Sequence, residues 1–578
     1  MEVNQSNFRR QLLPILRHIA DASFVTFDLE MSGINIRPKH STGDRSLDVG
    51  KPSLQQQYDE MRSAAETFQV LQVGITCVEE DREKGPDGKS SLFCTSSSHD
   101  VDFYLARPFN FNLNPLSAEG VDLRLDRTFT FSTSACDFLS KNSFDFGKVF
   151  KEGVPYLSRD EEDERREEYA QRAMKNARIP DIIISPEDVS TLEFSRSTRK
   201  TIAAWAKQQE AEHDFVNIGN DAGPMNAFQR RIVHQIVRNE FPALRVFARN
   251  DGSFMQVEKL DQERENNFQK RHAARFNTLI GRQKGLRWIF EALAGGDLSG
   301  IDPEWFYDKS APDSEEQRAR VQAELASITS LIRTKKHILV GHNLFADLAF
   351  LFATFVGHLP VNVKHFQEDI HALFPHVIDT KFVASYGTDA MNPRVGLKDL
   401  LAPLRKIHVP LIVLHEKHTA YGASFGKEHE AGFDSWMTAE LFVKLAAQKY
   451  REAKALPDAP FSDSDSDSDT PGGGGATLLD PTDGNGHSPA EWHARQLNAG
   501  SDNMFAVLTD EFDQKSGSGI GTPKQWLPSF HSKFWDLYMN KLRVNASESG
   551  MCDLAEREDD ERLNGLRRKG KKKVGFVI

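Results

Sequence analysis

The chain is poor in cysteine, has no long apolar run and carries no excess of positive charge. Its four cysteines, Cys77, Cys94, Cys136 and Cys552, are scattered over 578 residues without a C-x-x-C pair. That excludes a zinc ribbon and a disulfide framework, and it fits a reducing compartment. No stretch of about 18 apolar residues occurs, so no membrane span is expected. The opening "MEVNQSNFRRQLLPILRHIADA" lacks the uninterrupted apolar core and small-residue cleavage site of a secretory signal. Phe8, Leu12, Ile15, Leu16 and Ile19 recur at helical spacing instead, which predicts an amphipathic helix. The 72 basic residues are outnumbered by 84 acidic ones, a net charge of −12. That argues against a general polyanion binder but leaves room for a local basic channel. There is no internal repeat, and no aromatic RNA-recognition strand of the K/R-G-F-G-F-V type follows residue 475.

What is present suits a soluble multidomain α/β protein, with 39% hydrophobic and 27% charged residues. Runs at residues 23–29, 68–78 and 101–109 are rich in β-branched and aromatic residues and predict a mostly antiparallel start to a sheet. A helical stretch then runs to Gly153 and Pro155. Residues 159–265 change character: a charged helix leads into a small α+β pattern over 186–259. A second α/β stretch, 266–456, begins helical and basic. It continues through an apolar strand at 338–340 and ends in a long helix. Residues 457–490 contain "FSDSDSDSDTPGGGG", which cannot build a core and predicts a disordered linker. Residues 491–578 form a C-terminal region with some apolar pattern. Its basic tail, six basic residues in seven from Arg567 to Lys573, suits nuclear import or nonspecific RNA contact.

The chemistry is concentrated in three places. "FVTFDLEMSGI" ends an apolar strand in Asp28 and Glu30; "GHNLFADL" places Asp347 at a helix start; "HEAGFD" supplies His429 and Asp434. Each alone fits a solvated strand end, a helix-start charge or a surface histidine. The last two lie about 140° apart on a continuous helix, yet both can face one cleft where a helix begins. Four carboxylates converging at one sheet edge would repel, and their pKa values would rise without a counter-charge. Hard oxygen ligands of this kind select Mg²⁺ or Mn²⁺ over zinc. Two such ions about 3.5–4 Å apart stabilise the attacking and leaving oxygens of a phosphoryl displacement. A neighbouring histidine can take the proton of the attacking water.

The order D-x-E, N-x-x-x-D, H-x-x-x-x-D resembles the DEDD-type 3′→5′ exonucleases of the histidine subclass. "SNF", "FDLEMSGI", "FDFGKVFKEGVPYL", "VGHN", "FPHVIDTK" and "HEAGFD" extend the likeness to the poly(A)-specific ribonuclease group of deadenylases. The resemblance implies an RNase H-like fold, a mixed sheet flanked by helices. It implies Asp28, Glu30, Asp347 and Asp434 as ligands of two Mg²⁺ ions, with Mn²⁺ as a substitute, and His429 as general base. It also implies removal of 3′-terminal adenosines from single-stranded RNA as 5′-AMP. Met31, Ile34 and Lys381 match positions that contact RNA, Met31 standing where an aromatic is expected. "QRRIVH" resembles an Arg-xxx-His nucleic-acid domain and adds Arg230 and His234 as RNA-binding residues.

The missing recognition strand argues against the cap-binding domain of animal members. The shorter architecture also resembles trimmers of small-RNA precursors, which have little base preference. A catalytically silent RNA-binding scaffold is the alternative outside enzymes. The family further implies a homodimer, and the whole reading suits the nucleus or cytoplasm without a membrane.

Overall fold

The computed structural model describes residues 1–36, 52–81, 103–177, 180–207, 213–220, 223–307, 314–387, 395–407, 409–422, 429–454, 527–544 and 550–556. The Ser/Asp/Gly linker and the basic tail expected from the sequence lie outside them. The chain divides into two compact units, Met1–Glu162 with Gly281–Ile578, and Asp163–Ile280. Among the described residues no helix is long and apolar enough to cross a membrane.

The larger unit starts with β1 (Glu2–Val3), the amphipathic α1 (Phe8–Asp21) and β2 (Phe24–Met31). Helix α2 (Leu54–Thr67), closed by a Ser53/Gln56 capping box, leads into β3 (Val70–Asp81) and β4 (Phe103–Asn114). The stretch read from sequence as one helix is broken into α3 (Thr133–Lys141) and α4 (Phe146–Lys151), followed by β5 (Val154–Pro155). Ser143 at φ 62° makes the break, and Asp145 caps the second helix through the Gly147 N–H.

The smaller unit takes most of the charged α5 (Arg159–Ala177), then α6 (Val189–Ala206), β6 (Phe215–Ile218), α7 (Ala227–Glu240), β7 (Leu244–Arg249) and β8 (Phe254–Lys259). Its sheet has the order β6-β8-β7, antiparallel throughout. Ile202, Trp205, Val233, Ile236, Met255 and Val257 form its core. The unit ends within α8 (Gln262–Lys284), beyond residue 265, because that helix runs on without a break.

The larger unit resumes with α9 (Arg287–Leu293), α10 (Glu315–Thr334), β9 (Ile338–Gly341), α11 (Phe345–Phe355), α12 (Val363–Leu373) and β10 (His376–Asp379). It continues through α13 (Thr380–Ser385), α14 (Leu397–Leu404), β11 (Leu411–Leu414) and α15 (Ala431–Lys454). The strand order is β1-β4-β3-β2-β9-β10. The first half is antiparallel, β2–β3–β4, as expected; β9 and β10 then add parallel to β2, which makes the sheet mixed. Strands β11, β1 and β5 tile the outer edge of β4 one after another, so that edge offers little backbone for outside pairing. Helices cover both faces. Val25, Phe27, Leu29, Val73 and Ile75 pack towards α1, α9 and α11, while α13, α14 and α15 cover the other face.

The C-terminal region contributes to the larger unit. Residues 527–544 and 550–556 pack into the larger unit, with Phe534, Trp535, Leu542 and Cys552 fully buried. Asn540 pairs with the edge of β10 in both directions, Val377 N–H to Asn540 Oδ1 at 3.0 Å and Asn540 N–H to Val377 O at 2.7 Å. A short hairpin, β12 (Lys541–Arg543) with β13 (Met551–Asp553), follows. The sheet edge opposite β4 is therefore covered by this strap.

Candidate active site

Strand β2 carries Thr26, Asp28 and Glu30 at alternate positions, hence on one face. Thr26 donates to the Ser435 carbonyl at 2.6 Å, which identifies that face as the one α15 covers. Pairing of β2 with β9 ends at Thr26 and Val340. Beyond it the chain leaves β9 through a turn with Asn343 at φ 64°, and Asp347 falls in the first turn of α11. Asparagine tolerates that left-handed backbone better than most residues. The turn is locked by the Asn343 N–H donating to Asp379 Oδ1 at 2.8 Å.

The start of α15 is seated on polar side chains of the sheet. Ala431 N–H donates to Gln72 at 2.9 Å and Gly432 N–H to Asn110 at 3.0 Å. Gly74 allows the close approach: a Cβ there would lie 1.9 Å from the Ala431 carbonyl oxygen. This docking aims Asp434 at Asp28. His429 lies two residues before the helix at φ 69°, with its N–H donating to Asp434 Oδ2 at 3.2 Å. The 140° of a continuous helix never applies, because His429 is outside it.

One ligand atom each from Glu30, His429 and Asp434 lies within 4.8 Å of the others. Asp347 and Asp434 are buried, while Asp28 and Glu30 keep a narrow access to solvent, though protein atoms surround them on most sides. Burial raises the pKa of Asp28 well above the carboxylate range, and Asp434, Asp347 and Glu30 push it the same way. Glu30 is raised by burial and by Asp434 and Asp347. Asp347 is raised to about 7, mainly by burial. The structure thus brings Asp28, Glu30, Asp347, His429 and Asp434 together. The donor set fits hard divalent cations: it is oxygen-rich, and its dominant electrostatic defect is negative charge packed on itself.

Lys381 sits half-buried at the start of α13, beside Asp379. Burial lowers its pKa, which Asp379 opposes and Arg543 reinforces. Met31 is half-buried against the core, and Ile34 is 52% exposed. Arg230 and His234 belong to the other compact unit. The Arg230 guanidinium donates to the carbonyls of Met225 (2.8 Å) and Gly252 (3.1 Å), closing the β7–β8 turn on α7; His234 is exposed.

Three residues escaped the sequence reading. Asp379 is fully buried and accepts backbone N–H groups of Asn343, Lys381 and, from the C-terminal strap, Arg543 at 2.9 Å. "HVIDTK" has the same outline as "FVTFDLE", an apolar strand ending in a carboxylate, and that signal was legible. Phe138, 47% exposed on α3, meets the His429 ring edge-on at 4.5 Å between centroids. Arg543, whose side chain reaches Ser385, lies more than a hundred residues from the rest of the site and gave no local signal.

The family model described as CAF1 family ribonuclease matches residues 3–442. An uncharacterized protein of Schizosaccharomyces pombe is 26% identical over 77% of this chain and 92% of its own length. The poly(A)-specific ribonuclease PARN of Danio rerio is 25% identical, over 77% of this chain and 59% of its own. The pre-piRNA 3′-exonuclease trimmer of Bombyx mori is 23% identical, over 77% and 71%. The chain therefore spans about three fifths of the PARN protein that it matches.

Proposed function

The chain belongs to the CAF1 ribonuclease family, and on that premise we propose that it is a metal-dependent 3′→5′ exoribonuclease removing terminal adenosines from RNA. The observation that carries this reading is the convergence of four carboxylates about the end of β2 with a histidine against two of them. Asp28, Glu30, Asp347 and Asp434 would hold two Mg²⁺ or Mn²⁺ ions. Such ions, when bound, neutralise the carboxylates, acidify water and polarise the scissile phosphoryl group.

The protein's own groups account for the rest. An imidazole nitrogen of His429 takes the proton of the attacking water. Its orientation is set by the backbone bond to Asp434 and by the edge of Phe138. The ammonium of Lys381 offers a cation to the phosphate of the departing nucleotide, and Met31 and Ile34 give its base an apolar approach. Asp379 holds Asn343 and Lys381 by their N–H groups, fixing the turn that leads to Asp347. Cleavage releases 5′-AMP and leaves a new 3′-hydroxyl.

The preference for adenosine rests on the PARN relative. A second reading, trimming with little base preference, is favoured by Met31, which offers no aromatic face for stacking, and by the likeness to the trimmer. One assay separates them. Equal-length 5′-labelled RNAs, one ending in oligo(A) and one mixed, are incubated with Mg²⁺, with EDTA, and with Asp28→Ala. Shortening from the 3′ end that EDTA and the substitution abolish is expected, faster on oligo(A). Equal rates favour trimming. No shortening of either RNA by folded protein rejects the enzyme reading in favour of a scaffold.

A further inference from the structure

We propose that Arg543, on the C-terminal strap, is a positioning residue of the nuclease site: it grips the Lys381 main chain at both its N–H and its carbonyl, and so fixes where the Lys381 ammonium meets a backbone phosphate of the RNA. The proposal rests on the exoribonuclease reading above and deepens it. Helix α13, which carries Lys381, has only six residues. A helix that short does not hold itself, so tertiary contacts decide its place. Phe382, Val383 and Ala384 are buried and anchor one side of it. Lys381 and Ser385 are half-buried and, four residues apart, share another face.

Arg543 reaches Lys381 by two routes. Its backbone N–H donates to Asp379 Oδ2 at 2.9 Å, and the other oxygen of that fully buried carboxylate accepts the Lys381 N–H at 2.9 Å. Its guanidinium Nε donates to Ser385 Oγ at 2.9 Å, with Nη2 on the same oxygen. The Ser385 hydroxyl in turn donates to the Lys381 carbonyl at 2.7 Å. A hydroxyl can do both, having one donor and two acceptor sites. The chain from Arg543 through Ser385 to Lys381 thus runs in one direction with a charged donor at its head, which strengthens each bond.

The strap can supply this grip because its own register is fixed. Leu542 and Val544, on either side of Arg543, are fully buried, and Arg543 pairs with Met551 of β13. A slip by one residue would bury the guanidinium and expose the two apolar side chains. The guanidinium also lies 5.9 Å from the Phe382 ring centre, within cation–π range, which keeps it over α13. Charge adds to the geometry. Burial is the main cause of the lowered Lys381 pKa, and Arg543 lowers it further. An RNA phosphate beside Lys381 relieves that repulsion.

The test is a double-mutant cycle on kcat/KM for a 5′-labelled oligo(A) RNA with Mg²⁺ and the full chain. Arg543→Met and Lys381→Met are each expected to lower kcat/KM about tenfold, and the double variant no further. Ser385→Ala, which leaves both charges in place, is expected to match Arg543→Met, and Ser385→Thr, which keeps the hydroxyl, to match the parent. A merely structural loss lowers the folded fraction whatever stands at position 381, so its effects multiply. A double variant about a hundredfold down therefore overturns the proposal. So does Ser385→Ala at the parental rate while Arg543→Met is impaired, since the guanidinium then meets RNA itself. Unchanged rates in every variant overturn it too. If the parent hydrolyses nothing, the nuclease reading falls, and the same cycle on Kd for that RNA in EDTA decides this proposal: coupled losses uphold it, and multiplied or absent ones overturn it.

Discussion

The two units are costly in opposite ways. In the larger one, buried carboxylates repel each other inside a close-packed sheet-and-helix sandwich. In the smaller one, aromatic and cationic side chains stand stacked in the open. A fold optimised for itself would do neither: it would pair the buried charges and cover the rings. Under the proposed function, the carboxylate cluster is the complement of divalent cations. The comparison teaches that the small unit can be changed at its surface with little risk to its core, whereas the nuclease site is inseparable from the packing that buries it.

The sharpest way to break that contrast is Asp28→Asn. Activity is expected to fall by about 10³-fold, while thermal stability in EDTA rises because one buried like charge is gone. A stability loss in EDTA would refute the account of stored repulsion. Trp535→Ala comes next. Trp535 is 1% exposed and stacks on Phe530 at 5.2 Å, so its truncation costs about 3–5 kcal/mol by denaturant unfolding of the larger unit. A neutral result would mean that the strap contributes nothing to that unit.

Arg230→Ala is expected to cost the smaller unit about 1–3 kcal/mol by opening the β7–β8 turn, again read by denaturant unfolding. A neutral result would contradict that closure and return Arg230 to a direct contact with RNA.

The last comparison is the pH dependence. Asp347 titrates near 7 in the folded chain against an ordinary 3.8. The folded state therefore holds that proton more tightly. The resulting stability is fully present below 3.8 and lost as pH rises through about 7. In EDTA, Asp347→Asn should melt above the parent at pH 8, and the gap should close towards pH 5. Mg²⁺ should reverse the ranking at pH 8. A gap that widens on acidification would contradict the burial of Asp347.

Much of the nuclease unit was legible because its chemistry is local. Asp28 and Glu30 share a strand, and His429 and Asp434 share a helix start, so short spacings carry the signal. The same holds for the β-branched and aromatic runs that placed β2, β3 and β4. What the spacing could not give was the helix start itself. His429 meets Asp434 only because it stands outside α15 in a left-handed backbone, and because Gly74 lets that helix touch the sheet. In the Arg-xxx-His segment the spacing carried the resemblance, but not the contacts of the Arg230 guanidinium, which donates to the Met225 and Gly252 carbonyls.

By itself the amino-acid sequence singled out Asp28, Glu30, Asp347, His429 and Asp434 in short motifs, and the order of those motifs carried the resemblance that implied the fold class. The change of composition at residues 159–265 set the insert apart. These signals lie in residue types close together along the chain. Only the tertiary structure decided that Asp379 braces the turn to Asp347, that Phe138 borders His429, that the C-terminal strap closes the sheet beside the site, and that β7, α5 and α8 align a stripe of rings and arginines. Those contacts join residues tens to hundreds of positions apart. Hydrophobic patterning sets which face of each element is buried, but the side chains that meet across elements follow from how the buried faces pack together.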